Sequence, residues 1–323
     1  MDKIYPEKLK IGDEIRVISP SDSIIRVGGF KENLIAKERL EALGYKVTFG
    51  EHIMENDRFG SSSITSRVAD FHAAFADKNV KVILTTIGGT NSNELLPYID
   101  WELVNRNPKI FVGYSDTTSL HNAIFAKTGL VTYYGPAYSS FKMDELQKFQ
   151  TAGWVKALVE TSYGLLPNDV YTSDPWFDKT KARRPLKNEW KIYHAGTAAG
   201  IIIGGNLGTY FLQAGTEFLR KIELPIAFIE NAEEDDDLNF NRQLVQFLQI
   251  NPDIQGLVIG RFPRETEMTE EKLHFILDKH PVLQRIPVIY DVDFGHTQPI
   301  FTFPLGGEVE ISTAPLSIKI LRG

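Results

Sequence analysis

Between residues 14 and 140 the chain alternates strand and helix signals at short intervals, and that alternation leaves few folds open. "EIRVIS" reads as a strand, and "KENLIAKERLEALGY" as a helix that Gly44 stops. "KVTFG" is a second strand, and "ITSRVADFHAAFAD" a helix with Val68, Phe71 and Phe75 on one stripe. "VKVILTTIGG" reads as a buried strand, "NELLPYI" as a short helix and "KIFVGYS" as another strand. Strands and helices at this pitch imply a doubly wound α/β domain around a mostly parallel sheet. Such sheets bind ligands at the carboxyl ends of their strands, where both "TTIGGTNSN" and "GYSD" fall.

Residues 160–198 break the pattern with prolines, mixed charge and little periodicity, and they predict a linker or a lid. Alternation then resumes in "GIIIGGNL", "PIAFIEN", "DLNFNRQLVQFLQI", "IQGLVIGRF", "EEKLHFILDKH" and "IPVIYDVDFGH", with "FTFPLGGEVEI" expected as a hairpin or edge strands. The expected organisation is therefore an N-terminal α/β domain over 1–160, a linker or lid over 161–196, and a smaller C-terminal α/β domain over 197–323.

Bulk properties narrow the function classes. A net charge of −7 argues against nucleic acid as the main partner. The absence of cysteine excludes disulfides, thiolate metal sites and a cysteine nucleophile, and suits a reducing compartment. "MDKIYPEKLKIGDEIRVISP" has no continuous apolar core of a secretory signal, and no apolar run reaches spanning length. A cytoplasmic protein with no membrane partner is expected.

Ser115 sits where a strand hands over to a helix, which suits two roles. Serine is a favoured helix N-cap, and it is also a nucleophile when a base, an orienting carboxylate and oxyanion donors lie in reach. Candidates for each partner lie at strand ends. Glu230 closes "PIAFIEN", though the "EEDDD" at 233–237 allows it to be a solvated acid; His296 follows "VIYDVDFG", where an ordinary loop histidine is the commoner occurrence. Gly88 and Gly89 lack Cβ atoms and can bring backbone N–H groups close to a ligand, with Asp116 N–H as the natural second donor. "GGTNSN" is also open to phosphate binding, although it is neither a dinucleotide fingerprint nor a P-loop. The "DFG" at 293–295 has no glycine-rich loop or H-R-D to accompany it, and five adjacent acids do not converge on one metal ion.

Taken together, "KLKIGDEIRVISPSDS", "IGGTNSNELL", "FVGYSDTTSLHNAIFAKTGLVTYYGP", "IIGGNLGT", "FIEN" and "DFGHTQP" make the chain resemble the LD-carboxypeptidase family of serine peptidases, which includes the microcin C immunity peptidases. The resemblance implies a flavodoxin-like N-terminal domain, a smaller C-terminal α/β domain, no metal or other cofactor, and a homodimer. It implies Ser115 as nucleophile, Glu230 as orienting acid, His296 as base, and Gly89 and Asp116 as oxyanion donors. Gly88, Asn206 and Asn231 in the matched segments become candidate substrate contacts. Two branches are open: muropeptide carboxypeptidases, and microcin-immunity enzymes whose longer mid-chain loop stacks aromatics on the adenine of a peptidyl or aminoacyl sulfamoyl adenylate. Here "SDPWFDKTKARRPLKNEWKIY" offers Trp176, Trp190 and Tyr193 beside Arg183 and Arg184, which favours the second branch. Either tryptophan could instead pin the segment to the body. A rival of another class is a non-catalytic binder of a nucleotide or sugar phosphate, in which "GGTNSN" matters and His296 does not.

Overall fold

A computed structural model describes residues 2–175 and 182–323. Its strands in chain order begin with β1 (Glu14–Ile18), β2 (Lys46–Phe49), β3 (Val80–Thr85), β4 (Ile110–Gly113) and β5 (Thr132–Tyr134). They continue with β6 (Tyr163–Leu165), β7 (Val170–Tyr171), β8 (Leu186–Lys187), β9 (Lys191–His194) and β10 (Thr197–Asn206). The last are β11 (Ile226–Glu230), β12 (Gly256–Gly260), β13 (Val288–Val292), β14 (Phe303–Leu305), β15 (Glu308–Thr313) and β16 (Leu316–Arg322).

The first sheet runs β14-β5-β4-β3-β1-β2. Strands β1 to β5 are mutually parallel, and β14 joins β5 antiparallel with Phe303 opposite Tyr134. Its apolar strands are covered on both faces, as a parallel sheet requires. Val82, Leu84, Ile110 and Val112 pack with Leu40, Trp154 and Leu158, while Ile83 and Phe111 pack with Phe71, Phe75, Leu120 and Ile124. The helix Ile64–Ala76 starts where the Ser63 side chain accepts from the Ser66 N–H, and it buries the Phe71 and Phe75 stripe. The winding reverses at β1, which lies between β2 and β3. The loops after β1, β3 and β4 therefore open towards one crevice.

The second sheet runs β6-β16-β15-β10-β11-β12-β13-β9. Strands β10 to β13 form a parallel centre, and antiparallel strands flank it on both sides. The helices Asp237–Ile250 and Glu270–Asp278, capped by Asp236 and Thr269, bury Phe240, Leu244, Phe247, Leu273 and Leu277 against it. The protein is thus a mixed α/β molecule with two main sheets.

One expectation needs correction. Segment 161–196 is not merely a connection, because β6 and β9 are the two edge strands of the second sheet. The tail is divided between the sheets: β14 crosses to the edge of the first, while β15 pairs antiparallel with β16 inside the second. Strands of three or four residues are too short to display a period, so only pairing reveals them. Among the described residues no helix is long and apolar enough to cross a membrane.

Candidate active site

Ser115 lies one residue beyond β4, after Tyr114, and has φ 62°, a left-handed conformation uncommon for a side chain with a Cβ. The turn Ser115–Thr117 leads into the helix Thr118–Thr128, and neither end is capped by the Ser115 hydroxyl. Instead that oxygen lies 3.0 Å from Nε2 of His296. On the other side of the ring, Nδ1 lies 2.7 Å from Oε2 of Glu230. Because an ionised carboxylate only accepts, Nδ1 carries a proton and donates it, which leaves Nε2 facing the serine. Glu230, at the end of β11, is fully buried. Burial works against a charged His296 ring, but Glu230, with Glu233 and Glu234 behind it, outweighs burial and raises the imidazole to about 9.

Around the hydroxyl the backbone is tightly fitted. A Cβ on Gly88 would fall 2.9 Å from both Cβ and Oγ of Ser115, so only glycine lets the loop after β3 run against the serine. The same Cβ position is 3.5 Å from the Asp116 amide nitrogen, which puts that N–H beside the Gly88-Gly89 turn. The Asp116 carboxylate itself faces inward. It accepts from the Ser21 hydroxyl at 2.6 Å and the Ser92 N–H at 2.8 Å, and so ties together the loops after β1, β3 and β4. Buried Arg67 reinforces this by donating to the carbonyls of Pro20 and Asn91 at 3.2 and 3.0 Å.

Ser115, His296, Gly88 and Gly89 open on a cavity of about 1140 Å³. Among the described residues its wall carries Arg26, Lys142 and Arg183 and several carboxylates including Asp22 and Glu233. Desolvation raises both of those acids above their usual range, against the pull of Arg26 on Asp22 and of His296 on Glu233. The Arg183 fork is anchored by the Gln298 side-chain oxygen at 2.7 Å and the Asp174 carbonyl at 3.2 Å.

Three candidate contacts lie elsewhere. Trp190 is 6 % exposed and off the cavity wall, and its indole N–H donates to Asp293 at 2.7 Å. Asn188 donates to the same carboxylate and Arg261 pairs with it, so the tryptophan anchors its segment to the strand end that leads to His296. Asn206 accepts from the Thr209 N–H and donates its own N–H to Thr118 Oγ1, an internal cap. Asn231 donates to Asp235 and Gln243, stiffening the acidic turn after β11. Trp176 lies outside the described residues. Sequence reading missed Tyr134, whose hydroxyl donates to Glu230 Oε1 at 2.6 Å and accepts from the Ser115 N–H at 3.0 Å. It looked like one more aromatic in a short strand; nothing local marks it.

Comparison with known proteins fits this geometry. Residues 15–135 match the LD-carboxypeptidase N-terminal domain, and residues 199–311 match the LD-carboxypeptidase C-terminal domain. The chain belongs to the LD-carboxypeptidase family. It is similar to the crystal structure of an MccF-like protein from Bacillus anthracis, with 43 % identity, a TM-score of 0.95, and coverage of 99 % of this chain and 100 % of that one. It is 30 % identical to the microcin C7 self-immunity protein MccF of Escherichia coli, over 97 % of this chain and 94 % of the relative. Structures of MccF with glutamyl sulfamoyl guanosine and with aspartyl sulfamoyl adenosine align with TM-scores of 0.89 and 0.90 at 28 % identity, each covering at least 98 % of both chains. The murein tetrapeptide carboxypeptidase of Pseudomonas aeruginosa is 24 % identical over 83 % of this chain and 84 % of its own length.

Proposed function

We propose that this LD-carboxypeptidase-family enzyme hydrolyses an acyl–nitrogen bond through an acyl-enzyme on Ser115, with His296 as base and Glu230 as its orienting acid. The observation that carries the reading is the unbroken relay from Ser115 Oγ to His296 to Glu230, ending at a wide cavity. Ser115 Oγ attacks the carbonyl while Nε2 takes its proton. The new oxyanion faces the N–H groups of Asp116 and Gly89. Nε2 then protonates the departing nitrogen, and water, deprotonated by the same ring, releases the acyl group. The first sheet, with parallel order 2-1-3-4-5, acts as a flavodoxin-like domain (1–160) that delivers the nucleophile. The segment 161–196 walls the cavity through Arg183, and 197–323 delivers acid and base.

The proposed substrate is an aminoacyl or peptidyl sulfamoyl nucleotide. The likeness to MccF, whose structures hold such compounds, supports this class, as does a cavity with room for a nucleoside beyond the reacting carbonyl. The murein relative supports a second substrate, a muropeptide ending in D-alanine. The test offers aspartyl sulfamoyl adenosine and an L,D-muropeptide side by side to wild type and Ser115→Ala. Wild type should cleave the adenylate, and the variant should lose both activities while keeping its melting temperature. Cleavage of the muropeptide alone would move the enzyme to the second substrate. Undiminished turnover by folded Ser115→Ala would end the serine mechanism, and no turnover of either compound by folded wild type would favour the non-catalytic binder.

A further inference from the structure

Tyr134 stands at the end of β5 in the first sheet, fully buried, and reaches the carboxylate that ends β11 in the second. A tyrosine hydroxyl has one proton and two lone pairs. The proton goes to Oε1 of Glu230 at 2.6 Å, and a lone pair receives the Ser115 N–H at 3.0 Å. Around the ring stand Phe303, His121 and Tyr114, with centroids 5.3, 5.8 and 6.4 Å away. His121 is pushed down to about 3 by burial and is neutral, so Glu230 is the charged group that the hydroxyl touches.

Building on the proposed relay, we infer that Tyr134 is a positioning residue, a single hydroxyl that sets the backbone of the nucleophile and the orientation of its acid at the same time. Four consequences follow from the bonding. Ser115 is held at φ 62° by an anchor on its own N–H, in a conformation that a residue with a Cβ does not keep unaided. Because that N–H is occupied, the oxyanion must rely on Asp116 and the Gly88-Gly89 turn. The second oxygen of Glu230 is also satisfied, which keeps Oε2 on Nδ1 of His296 and stops the carboxylate from rotating away. Both sheets contribute to one hydrogen-bond chain, so their relative placement is fixed at the reacting atoms.

The bond also tempers charge. A donor on Oε1 draws negative charge from the carboxylate and weakens its hold on the imidazolium. The other groups facing His296 are the Glu233 and Glu234 carboxylates, the Ser115 hydroxyl and the Tyr114 ring at 5.5 Å, and neither carboxylate bonds to Tyr134. Burial and the adjacent Glu230 hold the Tyr134 phenol well above its ordinary value, so it stays a neutral donor throughout the working range.

The experiment follows His296 by imidazole NMR titration, with kcat and KM for aspartyl sulfamoyl adenosine, in wild type, Tyr134→Phe, Glu230→Gln, the double variant and Ser115→Ala. Tyr134→Phe should lower kcat about ten- to hundredfold with KM little changed, the loss expected for one hydrogen bond to a charged group. Its His296 midpoint should move to higher pH, whereas simple loosening that admits water would move it down towards 6.5. Because one of the two bonds of Tyr134 acts through Glu230, adding Tyr134→Phe to Glu230→Gln should cost less than it does alone. A fluorotyrosine at position 134 keeps the ring and strengthens the donor, and should lower the midpoint; it carries the test if Tyr134→Phe does not fold. An unmoved or oppositely moved midpoint, or fully additive losses, overturns the inference. Normal turnover in Ser115→Ala overturns the proposed nucleophile instead, and the His296 titration still decides Tyr134.

Discussion

Replacing Glu230 with glutamine removes the nearest negative charge to His296 while conserving side-chain size. In the native site burial lowers the imidazole and Glu230, 2.7 Å away, is the largest opposing influence, with the ring reaching about 9. Without that charge only Glu233 and Glu234 still oppose burial, and the ring should titrate well below 9. The sign is fixed by the chemistry. A base must be neutral, so kcat/KM rises as pH passes upward through the His296 midpoint, and the rising limb should move down from about 9 in Glu230→Gln. The plateau should nevertheless fall by about 10⁴-fold, because glutamine can donate to Nδ1 and impose the wrong tautomer. The assay is a pH series of kcat/KM on the adenylate, paired with imidazole NMR of His296. A limb that stays near 9 would show that another charge sets the ring, and a plateau within tenfold of wild type would remove Glu230 from the relay.

Gly88→Ala puts a methyl 2.9 Å from the Ser115 oxygen, so kcat/KM should drop at least about a hundredfold while the melting temperature changes little; unchanged turnover would show that the turn can retreat. Trp190→Phe deletes the donor to buried Asp293 and should cost about 1–3 kcal/mol in denaturant unfolding, with the adenylate and a nucleoside-free peptide amide affected equally. Damage confined to the adenylate would return Trp190 to the substrate. The proposed steps use no metal, so excess chelator should leave turnover intact; a loss that zinc restores would refute them.

Much of the framework was legible because burial leaves a local trace. Val82-Ile83-Leu84 and Ile110-Phe111-Val112 are apolar on consecutive positions since both faces of a parallel sheet are covered, and the Phe71 and Phe75 spacing records one helix face on that sheet. Ser115 and His296 stood out because each follows such a run. Their roles stayed open on local grounds, as serine caps helices and histidine decorates loops. The role of Trp190 stayed open for a related reason: an indole among cations looks alike whether it faces a ligand or a buried aspartate. The partner that distinguishes the two, Asp293, is 103 residues away in the chain.

What the sequence by itself determined is the alternation of strands and helices, the residue types at the strand ends, and hence an α/β molecule with candidate serine, acid and histidine. The tertiary structure alone decided which ends meet. Ser115 and His296 are separated by 181 residues, and Tyr134 and Glu230 by 96. It also decided that β14 leaves its neighbours for the first sheet and that β6 and β9 close the second. Periodicity reports how one segment divides its own surface between core and solvent. A hydrogen bond of 2.7 Å depends on two segments arriving at the same place, and that is set by how the sheets pack around their cores, which no local pattern encodes.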